Sequence, residues 1–468
     1  MANRKTRILW VTFDFPPRLS AGMFRPIRIY KYLDKDSVEV DFVTHGRALR
    51  FREAVHDDTL LAEVHPAPRV YRVPALIPHD VLPALVARLR GKRRAGDNAA
   101  RPEAAPAAKA ASGTAPRGRR SLYRRLAMLV YFPDHFFLWG WLAAATSVVL
   151  LLRRRYDVVY TTSHPESGHL AGLVLERLGV RWVADYRYGG PLWVKELVGY
   201  PKPPIRQRIE RWYQRRVLSR ADMVITQSEP IRADFCREFS LDPDKLRVIP
   251  SGYDEHDFRP AKTGDAPFAT REHEVHLLHV GTMEGVDATE RRHLVEALNR
   301  LDEALRAGGR QLVVHAVGSD VFGPERAETV RFEYHHHGVV VHWRLPAYLA
   351  AADCYLLTTI AMVRGFIPSK VWEYLRAGGP ILVAGPRDEV WTMTDEAGVG
   401  VHLTSTGGHG QPAGTVAEAL VARLNDERPL HPSVARYSWE SRARAVQEVF
   451  AHLARPQTAT ARTGEARV

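Results

Sequence analysis

The chain has 468 residues, 45% of them hydrophobic, with two cysteines and 66 Lys plus Arg against 53 Asp plus Glu, a formal net charge of +13. That length carries two or three domains with full cores, and the apolar content excludes a wholly disordered chain. Two cysteines in separate predicted domains, Cys236 and Cys354, exclude a disulfide framework and fit a reducing cytoplasm. The positive charge is local: residues 86–125 hold twelve basic and two acidic residues, so this segment accounts for +10. Its low-complexity part has no interleaved aromatics, which argues against a nucleic-acid partner.

The opening, MANRKTRILWVTFDFPP, has an apolar run broken by Asp14, so it reads as a first strand over 8–13 and not as a signal peptide. The loop DFPPRLSAGMFRP leads into a helix over 24–33 and a strand over 38–44, a βαβ opening. Gly22 in that loop lets a ligand approach the backbone, with Arg25 near as a cation; its plainer reading is a turn-permitting glycine. Residues 88–120, rich in Ala, Pro, Arg and Gly, cannot build a packed core and read as disordered. An apolar run of about 17 residues follows over 136–152, at the lower edge of what spans a bilayer. A strand of the same domain resumes over 157–163, and a true span would put two halves of one sheet on opposite sides of a membrane. The run therefore reads as a buried or membrane-surface helix. Beside the basic insert it suits an anionic membrane surface via 86–152, the alternative being that the insert is a solvated linker.

From residue 157, strands over 157–163, 182–185 and 223–227 alternate with helices over 168–178 and 205–218 and a short one ending at 239, the pattern of a doubly wound parallel sheet. His164, Glu166 and His169 follow the first of these strands at its C-terminal end, where open α/β sheets bind ligands. A polar, Gly- and Pro-containing linker over 261–271 precedes a second alternating series. Its strands fall over 275–281, 311–317, 339–343, 353–359 and 380–384, with a helix over 291–307 and a short one ending at 350.

Between the last two strands lies RGFIPSKVWEYLRAGGPIL, residues 364–382. Pro368 suits a first helical turn, the helix runs from Ser369 to Arg376, and Gly378 and Gly379 stop it. A helix start after a parallel strand offers free N–H groups and a positive dipole end to a phosphate, and Ser369 and Lys370 stand there. Glu373, one turn further in, has the carboxylate to accept two hydrogen bonds from a ribose diol; a capped surface helix is the plainer alternative.

The pattern P-S-K-x-x-E-Y-L-x-x-G-x-P-I-L resembles the C-terminal signature of the GT-B glycosyltransferases, particularly glycosyltransferase family 4. That family usually carries Glu-x7-Glu here, its second Glu on the donor ribose; Glu373 matches the second position and Gly365 occupies the first. HPESGHLAGLVLERLGVRWVADYRYGGPLW resembles a segment ending in Asp-Phe-Arg-Asp-Pro-Trp. Asp185, Arg187 and Trp193 are kept, Tyr188 replaces the second Asp, and Gly189-Gly190 intervene. LRVIPSGYDEHDF resembles the interdomain crossing, with Ser251 for an Asn, and Ala21-Gly22 resembles the Gly-Gly loop after the first strand. Gly281-Thr282 resembles the glycine turn of the second domain. Val286 takes one usual Arg position there, leaving Arg291, Arg292 and Lys370 as candidate cations for a diphosphate.

The resemblance implies an α/β protein of two Rossmann-like, doubly wound parallel-sheet domains facing a cleft. Residues 1–258 form the acceptor side and 259–436 the nucleotide-sugar side; a helix over 437–453 crosses back, and 454–468 form a frayed tail. It implies sugar transfer from a nucleoside diphosphate sugar to an acceptor, with retention and without cofactor or protein-bound metal, in the cytoplasm or at the inner face of its membrane. Asp185, His164 and Arg187 are the acceptor-side catalytic candidates, and Gly281, Thr282, Arg291, Arg292, Ser369, Lys370 and Glu373 the donor-side set. A nucleotide-sugar epimerase and a degenerate binding protein without catalysis are the rival readings, the latter motivated by Gly365, Val286 and Tyr188.

Overall fold

The computed structural model describes residues 4–18, 20, 22–46, 58–75, 132–189, 204–258, 267–282, 288–322, 329–359, 365–403, 413–425 and 430–455. The basic insert, Trp193, Gly190, Val286 and most of the tail lie outside these residues.

Seven parallel strands form the first sheet: β1 Thr6–Val11, β2 Val38–His45, β3 Arg69–Val73, β4 Val158–Thr162, β5 Arg181–Tyr186, β6 Met223–Thr226 and β7 Leu246–Val248. Their order is β3-β2-β1-β4-β5-β6-β7. The second sheet has β8 Glu274–Gly281, β9 Gln311–Gly318, β10 Glu333–His336, β11 Cys354–Thr358, β12 Ile381–Ala384 and β13 Gly400–Leu403. It is also parallel, in the order β10-β9-β8-β11-β12-β13. Central strands such as β4, VVYTT, are buried at every residue, which is why they read as unbroken apolar runs and not as alternation. In each sheet the order reverses beside the first strand, and loops diverge there to leave a crevice.

The helices of the first domain are α1 Phe24–Tyr32, α2 Phe137–Arg153, α3 His169–Arg177, α4 Pro204–Arg220 and α5 Glu229–Phe239. Then follow α6 Ala288–Ala307, α7 Leu345–Ala351, α8 Val371–Ala377, α9 Glu389–Glu396, α10 Ala413–Asn425 and α11 Trp439–Ala454. Helices α2 to α5 cover one face of the first sheet around Trp139, Trp182 and Tyr213. The other face is closed by α1 and by α11, whose Trp439, Val446 and Phe450 join Ile8, Trp10 and Tyr160 in one core. Phe450 meets Tyr160 edge-on at 5.3 Å. Helix α2 turns Trp139, Ala143, Ala144 and Leu150 inward, and Gly140 lets it close on α3, since a Cβ there would stand 2.5 Å from the Ser167 carbonyl oxygen. No described helix is long and apolar enough to cross a membrane.

The chain crosses between the domains twice, and the two crossings run side by side. Tyr253 N–H donates to Tyr437 O at 3.1 Å and Trp439 N–H to Tyr253 O at 2.8 Å, a short parallel bridge. Gly252 must be small there, because a Cβ would lie 2.2 Å from the Tyr437 carbonyl oxygen.

Three sequence expectations need correction. The strand placed over 339–343 is a loop ending in a 3-10 turn at His342–Arg344; Val339 and Trp343 are 89% and 71% exposed, and the strand is the polar segment Glu333–His336 on the sheet edge. An edge strand packs only one flank, so it needs no apolar run to form. Helix α8 begins at Val371 and not Ser369, because Val371 N–H closes a turn onto Pro368 O at 3.1 Å. Strands β3, β7 and β13, with helices α9 and α10, were not anticipated; each strand is short and at or next to a sheet edge.

Candidate functional site between the two sheet edges

The contacts between domains come from loops at the C-terminal ends of both sheets. Phe24, after β1, packs on His342, after β10, with ring centroids 5.0 Å apart. Tyr188, after β5, stacks on Phe366, after β11, at 6.5 Å, and Ser228, after β6, donates its hydroxyl to Gly365 O at 2.8 Å. The backbone of Glu229 hydrogen-bonds the Glu389 carboxyl from across the seam. The C-terminal edges of the two sheets therefore face each other.

On the first edge, Gly22, His164 and Arg187 come together. A Cβ on Gly22 would overlap Asp14 Oδ2 at 2.0 Å and crowd Arg187 at 2.8 Å, so this glycine is required by close approach. His164 keeps its side chain exposed, yet the surrounding walls hold its imidazole below the usual value, and Asp134, Arg187 and Asp14 set the local charge. The shift favours the neutral ring, the form that can accept a proton. His169 differs: it is sealed, bonded to Thr161 Oγ1 at 2.8 Å, and pushed down to about 3 by burial, so it is a core residue.

Arg25 and Asp185 meet each other instead of the cleft. Arg25 Nε donates to Asp185 Oδ2 at 2.7 Å and Nη2 to Asp185 Oδ1 at 3.0 Å, while Tyr160 also donates to Oδ2 at 2.7 Å. Two further guanidinium hydrogens reach Ile249 O and Pro250 O at 3.0 and 3.2 Å. Burial alone would lower the Arg25 pKa, but Asp185 more than offsets it and the pair stays charged. Asp185 is 0% exposed. The geometry thus gives both residues a positioning role, tying α1 and β5 to the first crossing, and leaves no Asp185 oxygen open to an acceptor. A second knot lies nearby. Burial would raise the Asp254 carboxyl, but Arg28, with hydrogen bonds from Tyr32 and Lys31, holds it down at about 2. Arg28 also reaches Asp257 at 3.0 Å and His342 of the second domain at 3.3 Å.

On the second edge, Gly281 and Gly318 pair at the ends of β8 and β9. Both have positive φ, +123° and +113°, and a Cβ on Gly318 would lie 2.3 Å from Gly281 O, whereas the space beside Gly281 is open. The Tyr374 hydroxyl accepts from Val280 N–H at 2.8 Å and its ring stacks on Tyr355 at 4.8 Å. That bond fixes α8 beside the Gly281 turn. From α8, Glu373 takes Lys370 Nζ at 2.9 Å on one oxygen; its other oxygen, Oε2, is buried without a partner among the described residues. Ser369 and Thr282 are exposed. Arg291, in the first turn of α6, has a buried Nε without a partner among the described residues, and Arg292 stands exposed.

Sequence reasoning missed the seam. Ser228 sits at the N-cap of α5, but its hydroxyl does not cap that helix and instead crosses to Gly365. A Cβ on Gly365, whose φ is +76°, would stand 2.7 Å from Ser228 Oγ and 3.2 Å from Pro230. Tyr188 and Gly365, two of the positions that depart from the family 4 pattern, are thus at one contact. Beside it, burial pushes Glu389 up to about 7 and Asp388 up to about 6.

Two parallel α/β domains that face each other along their C-terminal strand edges, with a last helix returned to the first domain, are the GT-B architecture of glycosyltransferases. The family model described as Glycosyltransferase Family 4 matches residues 99–257, within the first domain and short of the Glu373 segment. No curated protein matches the sequence. Sucrose-phosphate synthase from Thermosynechococcus elongatus is a similar structure, at 16% identity and TM-score 0.57, covering 96% of this chain and 99% of that one. A glycosyltransferase from Rickettsia africae ESF-5 aligns at 13% and 0.56, covering 96% and 98%. UDP-GlcNAc 2-epimerase from Methanocaldococcus jannaschii aligns at 13% and 0.51, covering 95% and 99%. Likeness at such identity is likeness of fold.

Proposed function

We propose that the protein is a glycosyltransferase that moves a sugar from a nucleoside diphosphate sugar, bound mainly by the second domain, to an acceptor bound mainly by the first. The observation that carries this reading is the buried Oε2 of Glu373, without a partner among the described residues and held beside the Gly281 turn by the Tyr374 bond. A buried carboxylate oxygen without a partner is costly, and a ribose hydroxyl supplies the missing donor. Arg291, Arg292 and Lys370 supply cations for the diphosphate, with Gly281, Thr282 and Ser369 giving room and backbone groups. Gly22, His164 and Arg187 line the acceptor side. Catalysis rests on holding donor and acceptor in line and on stabilising the departing diphosphate, with retention at the sugar carbon and no cofactor. The acceptor is a cell-envelope or lipid-linked glycan, handled in the cytoplasm at the membrane face.

Thermal melts with UDP, GDP, ADP and TDP and their sugars test the donor site. One nucleotide at a hundredfold excess over its Kd should stabilise the protein by about 2.7 kcal/mol. Glu373→Ala should abolish that gain while melting near wild type without ligand; an unchanged gain sinks the assignment. An epimerase would convert its nucleotide sugar without an acceptor, whereas a transferase releases free nucleotide only when an acceptor is added. Nucleotide binding with no release for any acceptor would favour the non-catalytic reading, which the filled seam at Gly365 motivates.

A further inference from the structure

Large apolar side chains stand exposed on the outer side of one helix layer. Trp141, Val149 and Leu152 of α2 are 54%, 45% and 82% exposed, Leu178 at the end of α3 is 55%, and Ile205 and Trp212 of α4 are 57% and 59%. Helices α2, α3 and α4 all pack on the same face of the first sheet, through one core, so their outward faces form one surface. On α2 the exposed positions 141, 145, 149 and 152 fall on one stripe, about 16 Å long at helical rise. Nothing charged interrupts it: α2 has no Asp, Glu, Lys or Arg before Arg153. The outward side of a surface helix is ordinarily its polar side, so this stripe is inverted relative to a solvated helix.

Arginines frame the stripe. Arg153, Arg155 and Arg177 stand exposed at one end of the layer, and Arg208 and Arg211 stand exposed beside Trp212 on α4. None of these five has a carboxylate partner among the described residues, whereas Arg206 pairs with Glu210 in a buried position and the half-buried Arg220 pairs with Glu176. Exposed tryptophans, aliphatic side chains and unpaired arginines on one plane match the boundary of an anionic bilayer, where aromatic rings sit at headgroup depth and cations meet lipid phosphates. The core of a protein–protein interface is depleted of charge, and a nucleic acid has no use for Val149 and Leu152.

We propose that the outer face of α2, α3 and α4 lies on an anionic lipid surface, with Trp141 and Trp212 as the two anchors. The surface is wider than the 86–152 expected from sequence, since the end of α3 and the outer face of α4 belong to it. It also sets an orientation. The three helices run alongside the strands, so with this layer on the membrane both ligand edges meet the bilayer side-on, and the cleft opens along its surface.

Flotation of the full chain with extruded vesicles tests this, using phosphatidylcholine alone and phosphatidylcholine with about 30 mol % phosphatidylglycerol. The protein should float with the anionic vesicles only, and less so as salt rises. Trp141→Gln with Leu152→Gln, and separately Arg208→Gln with Arg211→Gln, should each weaken partitioning about tenfold or more, while removal of residues 88–120 leaves most of it. Circular dichroism melts near wild type confirm that these exposed changes leave the fold intact; should the α2 pair fail to fold, Trp212→Gln on α4 takes its place. No flotation of wild type overturns the proposal. So does undiminished flotation of both double variants, or loss only on removing 88–120. A dimer by light scattering that the same variants abolish, without vesicle binding, would assign the face to a second copy and overturn it equally.

Discussion

Gly365 shows how much a single position depends on a partner remote in sequence. Read locally, it is a missing carboxylate; in the fold it is a left-handed residue pressed on Ser228, 137 positions earlier. A side chain there meets both a strained backbone and an occupied space. Gly365→Ala should cost about 1–3 kcal/mol, measured by denaturant unfolding, and a melting point near wild type would show that the seam is not held closed. Gly365→Glu should cost at least as much, since the longer side chain meets the same backbone and the same occupied space. The place of Glu373 on a short helix stopped by the double glycine was legible, although the helix starts two residues later than Ser369. The burial of Arg25 against Asp185 was not legible, since the two are 160 residues apart and nothing local announces that an arginine after a glycine loop will be sealed. Gly22 reads in sequence as a place where a ligand approaches the backbone, whereas the space beside it is taken by the Asp14 and Arg187 side chains, which nothing local announces.

At the scale of elements, strands buried on both faces and helices bounded by glycine or proline could be read directly, which covers most of both sheets. What escaped were edge pieces, where the physical demand on sequence is weakest. β10 is the clearest case: its residues, EYHH, pair with β9 on one side only, while the apolar run just after it stays in solvent. Helix α8 was legible, but its anchorage was not, since Tyr374 reads as one more core aromatic. Its hydroxyl is the partner of the Val280 amide. Tyr374→Phe should leave that buried N–H unpaired and cost about 1–3 kcal/mol, and should also weaken nucleotide stabilisation by loosening the Gly281 turn. Faster hydrogen exchange at the Val280 amide is the direct measure; exchange equal to wild type would mean that the bond contributes nothing.

For the molecule as a whole, stability should depend on pH with two opposing contributions. Burial pushes His169 and His315 down to about 3 and His279 down to about 4, so these rings are neutral when folded and bind protons more readily when unfolded. Where the unfolded chain binds more protons, stability rises with pH. Their contribution is therefore full above about pH 6.5 and is lost as pH falls toward 4, by up to about 2 kcal/mol for each ring between pH 6.5 and 5. Glu389, raised to about 7 by burial and facing Glu229, has the opposite sign: the folded state holds its proton longer, so the seam loses stability as pH rises from about 4.5 through 7. Melting points from pH 5 to 8 should fall on the acid side in wild type and fall less steeply in His315→Gln. Glu389→Gln should remove the decline on the alkaline side; parallel profiles in all three proteins would refute both assignments.

The core shared by β1, β4 and α11 also bears on how the chain is made. Trp10 and Tyr160 are covered by Trp439, Val446 and Phe450, which leave the ribosome only after the entire second domain. The domain synthesised first is thus the last to be finished. Until its closing helix arrives, the part of that apolar face which α1 does not cover waits open, in the interval when nascent chains are most exposed to misassembly. A fragment ending at residue 258 inherits that same open face.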